Sequence, residues 1–197
     1  MVEIFDNFLD SNSYQLLQET ITGTAFPWYY TERVSAPDDR FKVNDPNCKE
    51  GDGFTNIIYF RHGVQNPRKP YEFFNNFFFG LEKLGYVPDD LIVLRLNMKL
   101  PKQGYTKETY QIPHVDTYDF EHDTLIYYFN DSDGDTRIFD QVHSIGDEYP
   151  SKFTVEQKVS PVGNRLIRFD GFQYHTAAYP INSKRRIVAN LNMRKRK

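Results

Sequence analysis

The stretch that decides the fold reads Thr124-Leu125-Ile126-Tyr127-Tyr128-Phe129-Asn130, then Asp131-Ser132-Asp133-Gly134-Asp135, then Thr136-Arg137-Ile138-Phe139. Its outer runs are rich in β-branched and aromatic residues, which favour strands because they pack well on a pleated surface. The middle run consists of Asp, Ser and Gly, which favour turns. The stretch therefore predicts two strands joined by a turn. A calcium-binding loop is disfavoured because no glutamate follows at the required spacing.

Similar short runs continue on both sides of this stretch, from residue 91 to residue 192. The predicted strands are Leu91–Leu100, Thr124–Asn130, Thr136–Phe139, Phe153–Val159, Arg165–Phe169, Tyr174–Ala178 and Ile187–Asn192. Turn signals such as Pro161-Val162-Gly163-Asn164 and Asp170-Gly171 separate them. Many short strands with such turns favour a β-sandwich or barrel, and we expect a double-stranded β-helix, or jelly roll.

The N-terminal part of the chain has a helical pattern instead. Asp10 or Ser11 can cap a helix that carries apolar residues at helical spacing and stops at Gly23. A second helix is predicted for Pro70–Leu84, whose Phe and Leu residues form one apolar stripe that must be covered. Ala36–Gly53 is predicted to be a long polar loop.

These patterns predict the α+β class with one domain over residues 1–197. A helical part at about 7–84 is expected to pack on one sheet of a jelly-roll core at about 91–192. A chain of 197 residues is long enough for one sizeable core and short for two.

Charge and composition restrict the function. The net charge is −3, which gives no general attraction to nucleic acid or to an anionic membrane. No apolar run approaches the ~20 residues that cross a bilayer, and the N-terminus lacks the pattern of a secretory signal. The single cysteine, Cys48, has no partner for an intramolecular disulfide. We therefore expect a soluble cytoplasmic protein that binds neither membrane nor nucleic acid.

Three residues have the types and order of a metal site: His114, Asp116 and His175. Two histidines and one carboxylate form the facial triad of non-haem Fe(II) enzymes, which leaves coordination positions open on one side of the ion. On an extended strand the side chains of His114 and Asp116 point to the same face, while Val115 points away. His175 must then come from a second strand paired nearby. The remaining histidines are interpreted as solvated surface residues: His62, His122 and His143.

A basic run, Lys184-Arg185-Arg186, follows the second histidine and opens the last predicted strand. A guanidinium group can bind a carboxylate through two parallel charge-assisted hydrogen bonds. The order of H-x-D, distal histidine and basic residue resembles the Fe(II)/2-oxoglutarate dioxygenases, above all the oxygen-sensing and collagen prolyl hydroxylases. The resemblance covers about residues 91 to 192 and rests on these segments: His114–Asp116, Thr124–Asn130, Arg137–Phe139, Asn164–Phe169 and Arg186–Asn190.

The resemblance implies Fe(II), 2-oxoglutarate and O2 as cofactors, together with ascorbate. It makes His114, Asp116 and His175 the iron ligands. It also implies that Arg186 and the hydroxyl of Tyr128 bind the C5 carboxylate of 2-oxoglutarate.

The cofactor-binding residues leave alternatives open. Counting from the distal histidine alone favours Arg185 as the carboxylate anchor, whereas matching on Val188-Ala189-Asn190 favours Arg186. Arg186 and Asn190 share one face of the predicted strand, so Asn190 is a candidate for a further contact in the pocket. Tyr105 and Tyr110 precede the H-x-D segment where the oxygen-sensing relatives carry pocket tyrosines. The resemblance makes these two tyrosines candidates for cofactor binding, with ordinary aromatic packing as the alternative.

The implied reaction is hydroxylation of prolyl residues in a protein or peptide, with succinate and carbon dioxide as co-products. Hydroxylation of a small molecule, such as a free amino acid, is one alternative. A catalytically silent jelly roll that only binds a partner is another, although a silent copy would be expected to have lost a metal ligand or the basic residue. The net negative charge of the chain argues against oxidative demethylation of a nucleobase, because neutralisation of phosphates by basic residues usually dominates affinity for nucleic acid.

Overall fold

The computed structural model describes residues 1–34, 43–60, 70–144 and 146–195, with the backbone alone at 70–74. In these ranges the chain forms two helices, α1 (Ser11–Thr22) and α2 (Pro70–Glu82). The strands in the same ranges are β1 (Glu3–Phe5), β2 (Tyr29–Thr31), β3 (Cys48–Lys49), β4 (Gly53–Phe60), β5 (Leu91–Lys99), β6 (Tyr110–Gln111), β7 (His122–Tyr128), β8 (Thr136–Val142), β9 (Val155–Val159), β10 (Arg165–Asp170), β11 (Gln173–Ala177) and β12 (Arg186–Arg194).

Most strands belong to two antiparallel sheets. The large sheet has seven strands in the order β1-β10-β7-β12-β5-β4-β2, and the small sheet has three in the order β11-β8-β9. Neighbouring strands are mostly distant in sequence because the chain passes repeatedly from one sheet to the other, as in a jelly roll. β3 and β6 form a further, parallel pair. The predicted double-stranded β-helix is therefore confirmed.

Alternating side chains give the large sheet two buried faces. On β7, Leu125 and Tyr127 belong to one apolar cluster, whereas Ile126 and Tyr128 belong to another. The first cluster includes four residues of the two helices: Leu17, Ile21, Phe77 and Leu81. The second includes two residues of the small sheet: Ile138 and Val159. The helices thus pack on one face of the large sheet, here called the outer face, and the small sheet covers the other, the inner face.

The first helix begins where its cap predicts. The carboxylate of Asp10 accepts the backbone N–H groups of Asn12 and Ser13, both at 3.0 Å. These bonds satisfy two of the donors that a helix leaves free at its N-terminus. The helix is followed by Gly23, as expected. The second helix ends at Glu82 and buries Phe77 and Leu81 against the outer face, so both predicted helices are confirmed.

One buried asparagine ties the N-terminal segment to the large sheet. Asn164 has a φ of 64°, a left-handed conformation that asparagine tolerates better than most residues. Its side-chain amide donates to the carbonyl of Leu9 at 2.8 Å. Its oxygen accepts the N–H of Leu9 and the hydroxyl of Tyr127, both at 2.9 Å. The turn before β10 is therefore held to Leu9, just before the cap residue of α1.

The part of the chain at 7–84, expected to be helical, contributes strands as well as the two helices. β2 and β4 extend the large sheet beyond β5. After Gly53, most residues of β4 are aromatic or β-branched and favour a strand, so a local signal for β4 was present in the sequence. The predicted loop Ala36–Gly53 lies outside the described residues up to residue 42, and Cys48–Lys49 within it forms β3. No helix in the described ranges is long and apolar enough to span a membrane.

Candidate metal centre

His114 and Asp116 lie on the segment that follows β6. His114 pairs with His175 of β11 through a single antiparallel bridge, in which the N–H of each residue donates to the carbonyl of the other at 3.0 Å. The expected strand does not form beyond this bridge, because Pro113 has no N–H to donate and Asp116 lies in a bend. The alternation of side chains is present nevertheless, since Val115 is buried in a separate aromatic cluster.

The three side chains converge on one point. Nε2 of His114 lies 3.9 Å from Oδ1 of Asp116, and Nε2 of His175 lies 3.6 Å from Oδ2. One potential ligand atom from each residue lies within 4.8 Å of the other two. Ligands that share a first-row metal ion at about 2.1 Å lie about 3–4 Å apart. The three residues can thus hold one ion, and the described ranges contain no second group of this kind.

Both imidazole rings are oriented by backbone carbonyls. Nδ1 of His114 lies 3.1 Å from the carbonyl of Ile112, and Nδ1 of His175 lies 3.2 Å from the carbonyl of Gln173. A proton on each Nδ1 can be donated to that carbonyl, which leaves the lone pair of Nε2 facing Asp116. Burial, and then the nearby His175, lowers the pKa of His114 to about 4. His114 is therefore neutral at pH 7, the form that binds a metal.

The carboxylate of Asp116 is held by three donors. The side-chain amide of Asn190 donates to Oδ1 at 3.0 Å. Oδ2 accepts from the amide of Asn192 at 2.8 Å and from the hydroxyl of Thr124 at 3.1 Å. Burial by itself would raise the pKa of Asp116, but the two histidines and the bond from Asn192 together hold it well below its usual range. The group is ionised at neutral pH, and its two oxygens are directed at the histidines.

A pocket opens beside these residues on the inner face of the large sheet. Its lining is Val34, Arg95, Asn97, Lys99, Gln111, His114, Asp116, Ile126, Thr136, His175, Thr176, Ala177, Arg186, Val188 and Asn190. Arg186 is 2% exposed, and its Nε donates to the carbonyl of Gly134 at 2.8 Å. A side chain at Gly134 would clash, because its Cβ would lie 2.8 Å from the carbonyl oxygen of Ala178. The backbone of Gly134 is therefore packed against residues 178–180, which fixes the carbonyl that accepts from Arg186.

Lys99 is a second basic residue in the pocket, next to Arg186. It is the direct partner of Arg186 in the β5–β12 ladder and is 3% exposed. Its ammonium group donates to the side-chain oxygen of Gln111. Burial, and then the charge of Arg186, lowers the pKa of Lys99 well below its usual range.

Thr136 connects Arg186 with Tyr128 at the Arg186 end of the pocket. Its hydroxyl oxygen accepts from the guanidinium of Arg186 and from the hydroxyl of Tyr128, both at 2.7 Å. Since the oxygen already accepts two bonds, its own proton is free for donation to a further group. Tyr128 is fully buried and is not among the residues that line the pocket. Its hydroxyl therefore supports Thr136 and Arg186 from behind.

The structure does not bring the other two tyrosines into the pocket lining. The hydroxyl of Tyr110 donates to Asp45 at 2.7 Å, and its ring packs 6.1 Å from that of Phe139. Tyr105 packs edge-on against Tyr179 with ring centroids 5.0 Å apart. Aromatic packing thus describes both positions. Arg185 is also absent from the lining, whereas its neighbour Arg186 is buried in it.

His122 corrects the interpretation of the remaining histidines. It is fully buried at the start of β7, so the expected surface position is wrong. Its Nδ1 lies 3.0 Å from the carbonyl of Phe120, and its ring packs edge-on 5.7 Å from that of Phe172. His143 is partly buried and contacts Tyr118, while His62 lies outside the described residues.

Sequence reasoning missed eight polar residues of the site. They are Arg95, Asn97, Lys99, Gln111, Thr124, Thr136, Thr176 and Asn192. A signal for three of them was present in the predicted strand Leu91–Leu100, where Arg95, Asn97 and Lys99 alternate with apolar residues. Polar side chains on one face of a strand that is buried on both faces indicate a lined site.

Comparison with known proteins supports the fold through structure alone. No protein-family model and no curated protein matches the sequence. The chain is similar to a prolyl-4-hydroxylase from Pseudomonas putida, with 14% identity and a TM-score of 0.57 over 100% of this chain and 93% of that one. It is similar to a prolyl hydroxylase from Trichoplax adhaerens in complex with a peptide fragment of the hypoxia inducible factor oxygen degradation domain, with 15% identity and a TM-score of 0.58 over 98% and 83%. The α-ketoglutarate-dependent epimerase SnoN from nogalamycin biosynthesis has 12% identity and a TM-score of 0.62 over 98% and 78%. The fold is thus the jelly roll of the 2-oxoglutarate and Fe(II) oxygenases.

Proposed function

We propose that this protein is a non-haem Fe(II) and 2-oxoglutarate-dependent dioxygenase that hydroxylates prolyl residues of a protein or peptide, with succinate and carbon dioxide as co-products. The proposal rests on one observation: His114, Asp116 and His175 converge at one end of a pocket whose other end holds the buried cations Arg186 and Lys99. Two of the similar structures are prolyl hydroxylases, one of them with a bound peptide, and they support the choice of prolyl residues.

The donor set fits Fe(II). Two imidazole nitrogens and one carboxylate suit a ferrous ion and leave the positions toward the pocket open. The hydrogen bonds around the three candidate ligands also suit a metal site. Backbone carbonyls orient both imidazoles, and three donors hold the carboxylate of Asp116. Such outer contacts set the direction and basicity of the ligands.

The far end of the pocket fits a carboxylate. Arg186 presents a guanidinium that is fixed by Gly134 and Thr136, and Lys99 lies directly opposite. The hydroxyl of Thr136 can donate a further hydrogen bond to the same group. A molecule with carboxylates at both ends, such as 2-oxoglutarate, can therefore reach from the cationic pair to the metal.

The chain itself orients and shields the reactants. When bound, Fe(II), 2-oxoglutarate and O2 supply the oxidation in which one oxygen atom of O2 enters a C–H bond of the substrate and the other enters succinate. Ile126 and Val188 are apolar residues of the pocket wall, and Val188 lies between Arg186 and Asn190 on β12. They exclude water, which strengthens the electrostatic contacts on either side.

Anaerobic spectroscopy tests the proposal. Addition of Fe(II) and 2-oxoglutarate should give a weak visible charge-transfer band that disappears in Asp116→Ala. The exposed Asp119, three residues away, provides a matched control, and Asp119→Ala should retain the band. The absence of both the band and succinate formation in the parent protein would contradict the proposal.

A second experiment addresses the substrate. The enzyme is incubated with O2 and a panel of proline-containing peptides, and mass spectrometry looks for the addition of one oxygen atom to proline. Oxidation found only on free metabolites would show that the prolyl assignment is wrong while the dioxygenase assignment stands.

A further inference from the structure

We infer that Arg95 binds a carboxylate of the primary substrate, and that this substrate also presents an N–H donor beside the carboxylate. The inference rests on the proposed function and names the substrate chemistry of the same pocket. A free amino acid and an acidic peptide segment share this chemistry.

Arg95 lies at the metal end of the pocket. It is on the inner face of β5 with Asn97 and Lys99, and its direct partner on β12 is Asn190. Asn190 in turn donates to Asp116, so this position is next to the three candidate ligands. Lys99 lies four residues further along, at about 13 Å for an extended strand. Arg95 is thus separated from the cationic pair that fits the far carboxylate of 2-oxoglutarate.

The guanidinium of Arg95 forms no direct ion pair with a described residue, although its charge acts on the nearby Asp116 carboxylate. Among residues 1–34, 43–60, 70–144 and 146–195 it has neither a hydrogen-bond partner nor an ion pair. Two arginines of β10 are paired with carboxylates: Arg165 with Asp6, and Arg168 with Glu3. A partly buried and unpaired cation is unfavourable, so its presence in a pocket points to an anion from outside the protein.

The charges of the proposed reactants do not supply that anion. A ferrous ion, the Asp116 carboxylate, the dianion of 2-oxoglutarate and the Arg186 guanidinium together carry no net charge. Arg95 adds a positive charge to this group, and a protonated Lys99 adds another. A carboxylate on the substrate would neutralise the charge of Arg95 in a region of low dielectric constant, where an ion pair is strong.

Two amide oxygens next to Arg95 point to an N–H donor on the same ligand. The side-chain oxygens of Asn97 and Asn190 are buried and have no hydrogen-bond partner. Both residues line the pocket, Asn190 directly opposite Arg95 and Asn97 two residues along the same strand. Buried acceptors without donors are rare in folded proteins. A carboxylate with a neighbouring N–H would satisfy the cation and these acceptors together.

The inference is tested with matched probes added anaerobically to the protein loaded with Fe(II) and 2-oxoglutarate. One pair is L-proline and L-prolinamide, and the other is a capped peptide with Asp beside Pro and the same peptide with Asn. Binding is read from the change in the visible band and from the unfolding temperature. We expect one of the two carboxylate probes to bind and its amide counterpart, which lacks the carboxylate charge, to bind at least about tenfold more weakly, as for loss of a charge-assisted contact. L-proline as the binding probe indicates a free amino acid, and the Asp peptide indicates an acidic segment.

Variants of Arg95 attribute the effect to this residue. Arg95→Gln should weaken the carboxylate probe about tenfold or more, Arg95→Lys should retain part of the affinity, and the exposed Arg194→Gln serves as the control. The affinity for 2-oxoglutarate should change by less than about threefold in all three variants, which is a smaller change than the loss of one hydrogen bond to a charged group would cause.

Equal loss of 2-oxoglutarate binding in Arg95→Gln would assign Arg95 to the co-substrate and overturn the inference. Equal binding of a carboxylate probe and its amide counterpart, or no binding by either carboxylate probe, would also overturn it. In these cases an intact band leaves the proposed function standing, whereas loss of the band in the parent protein would overturn both.

Discussion

Lys99 and Arg186 face each other as direct partners in the ladder between β5 and β12, and both side chains are almost fully buried. Like charges directly opposite one another destabilise a sheet, and each buried charge also loses its hydration. The same two groups become favourable when a carboxylate lies between them. If the proposed function is correct, this pair costs stability in the absence of an anion and becomes favourable when a carboxylate binds.

Replacement of Lys99 should separate its effect on anion binding from its effect on stability. In Lys99→Met the affinity for 2-oxoglutarate should fall by about 10–100-fold, the usual worth of a hydrogen bond to a charged group. The unfolding temperature without 2-oxoglutarate should stay the same or rise, because a buried charge is removed. Calorimetric titration and thermal unfolding measure the two quantities, with the exposed Lys83→Met as the control. Unchanged affinity would show that Lys99 does not contact the co-substrate.

The lowered pKa of Lys99 predicts a pH dependence with a definite sign. Between its folded and unfolded pKa values the unfolded state binds more protons, so stability should rise with pH in that window. A bound carboxylate favours protonated Lys99, so binding of 2-oxoglutarate to the metal-loaded protein should take up protons and weaken as pH rises. Calorimetry in two buffers of different ionisation enthalpy measures this uptake. Proton uptake of the same size in Lys99→Met would assign the effect to another group.

Asn192 should control the affinity for metal without touching the ion. Its amide holds Oδ2 of Asp116 at 2.8 Å, and Asn192→Ala removes this support. Loss of such an outer contact typically weakens metal binding by about 10–100-fold. Competition with a coloured chelator gives the affinity, and Asn182→Ala, at an exposed position, should leave it unchanged. Parent-like affinity in Asn192→Ala would show that the other two donors suffice.

Asp133 should hold the loop that leads to Arg186. Its carboxylate accepts the backbone N–H groups of residues 181, 182 and 183 at 3.1, 2.8 and 3.1 Å. Burial by itself would raise the pKa of Asp133, but these bonds hold it well below its usual range. Asp133→Ala should lower the unfolding temperature and weaken 2-oxoglutarate binding at pH 7, unlike the exposed control Glu148→Ala.

The pH dependence of this variant follows from the same bonds. A carboxylate with a lowered pKa stabilises the fold above its unfolded value, and that stability is lost as pH falls through the folded value. The difference in stability between the parent protein and Asp133→Ala should therefore shrink in acid. A difference that stays constant from neutral to acidic pH would contradict the assigned bonds.

Asn164 should be a large contributor to stability. Asn164→Ala removes three buried hydrogen bonds at a left-handed position and should cost about 2–4 kcal/mol, which corresponds to about 5–15 °C in a domain of this size. Asn164→Gly removes the same bonds but accommodates the positive φ, so the difference between the two variants measures the strain. Thermal and urea unfolding provide both values. A loss below about 1 kcal/mol in Asn164→Ala would show that water replaces the lost partners.

Local patterns predicted much of the architecture. The seven strands predicted from residue 91 onward and both helices are present, because each depends on alternation, helical spacing or a cap within a short segment. β4 was not predicted, although most of its residues are aromatic or β-branched and favour a strand. His122 was wrongly expected at the surface, because its polar neighbours in sequence are not its neighbours in space.

Some features of the candidate site likewise follow from local sequence, whereas others depend on the folded sheet. The kinds of ligand at 114, 116 and 175, and the shared face of Arg186 and Asn190, follow from residue type and from the twofold period of an extended chain. Those are properties of single segments. The register between β5 and β12 is not such a property, since a shift by one residue would turn a whole strand over. Only the folded sheet puts Lys99 opposite Arg186 and Arg95 opposite Asn190, because contacts between residues some 90 positions apart are decided by how two sheets bury their apolar faces together.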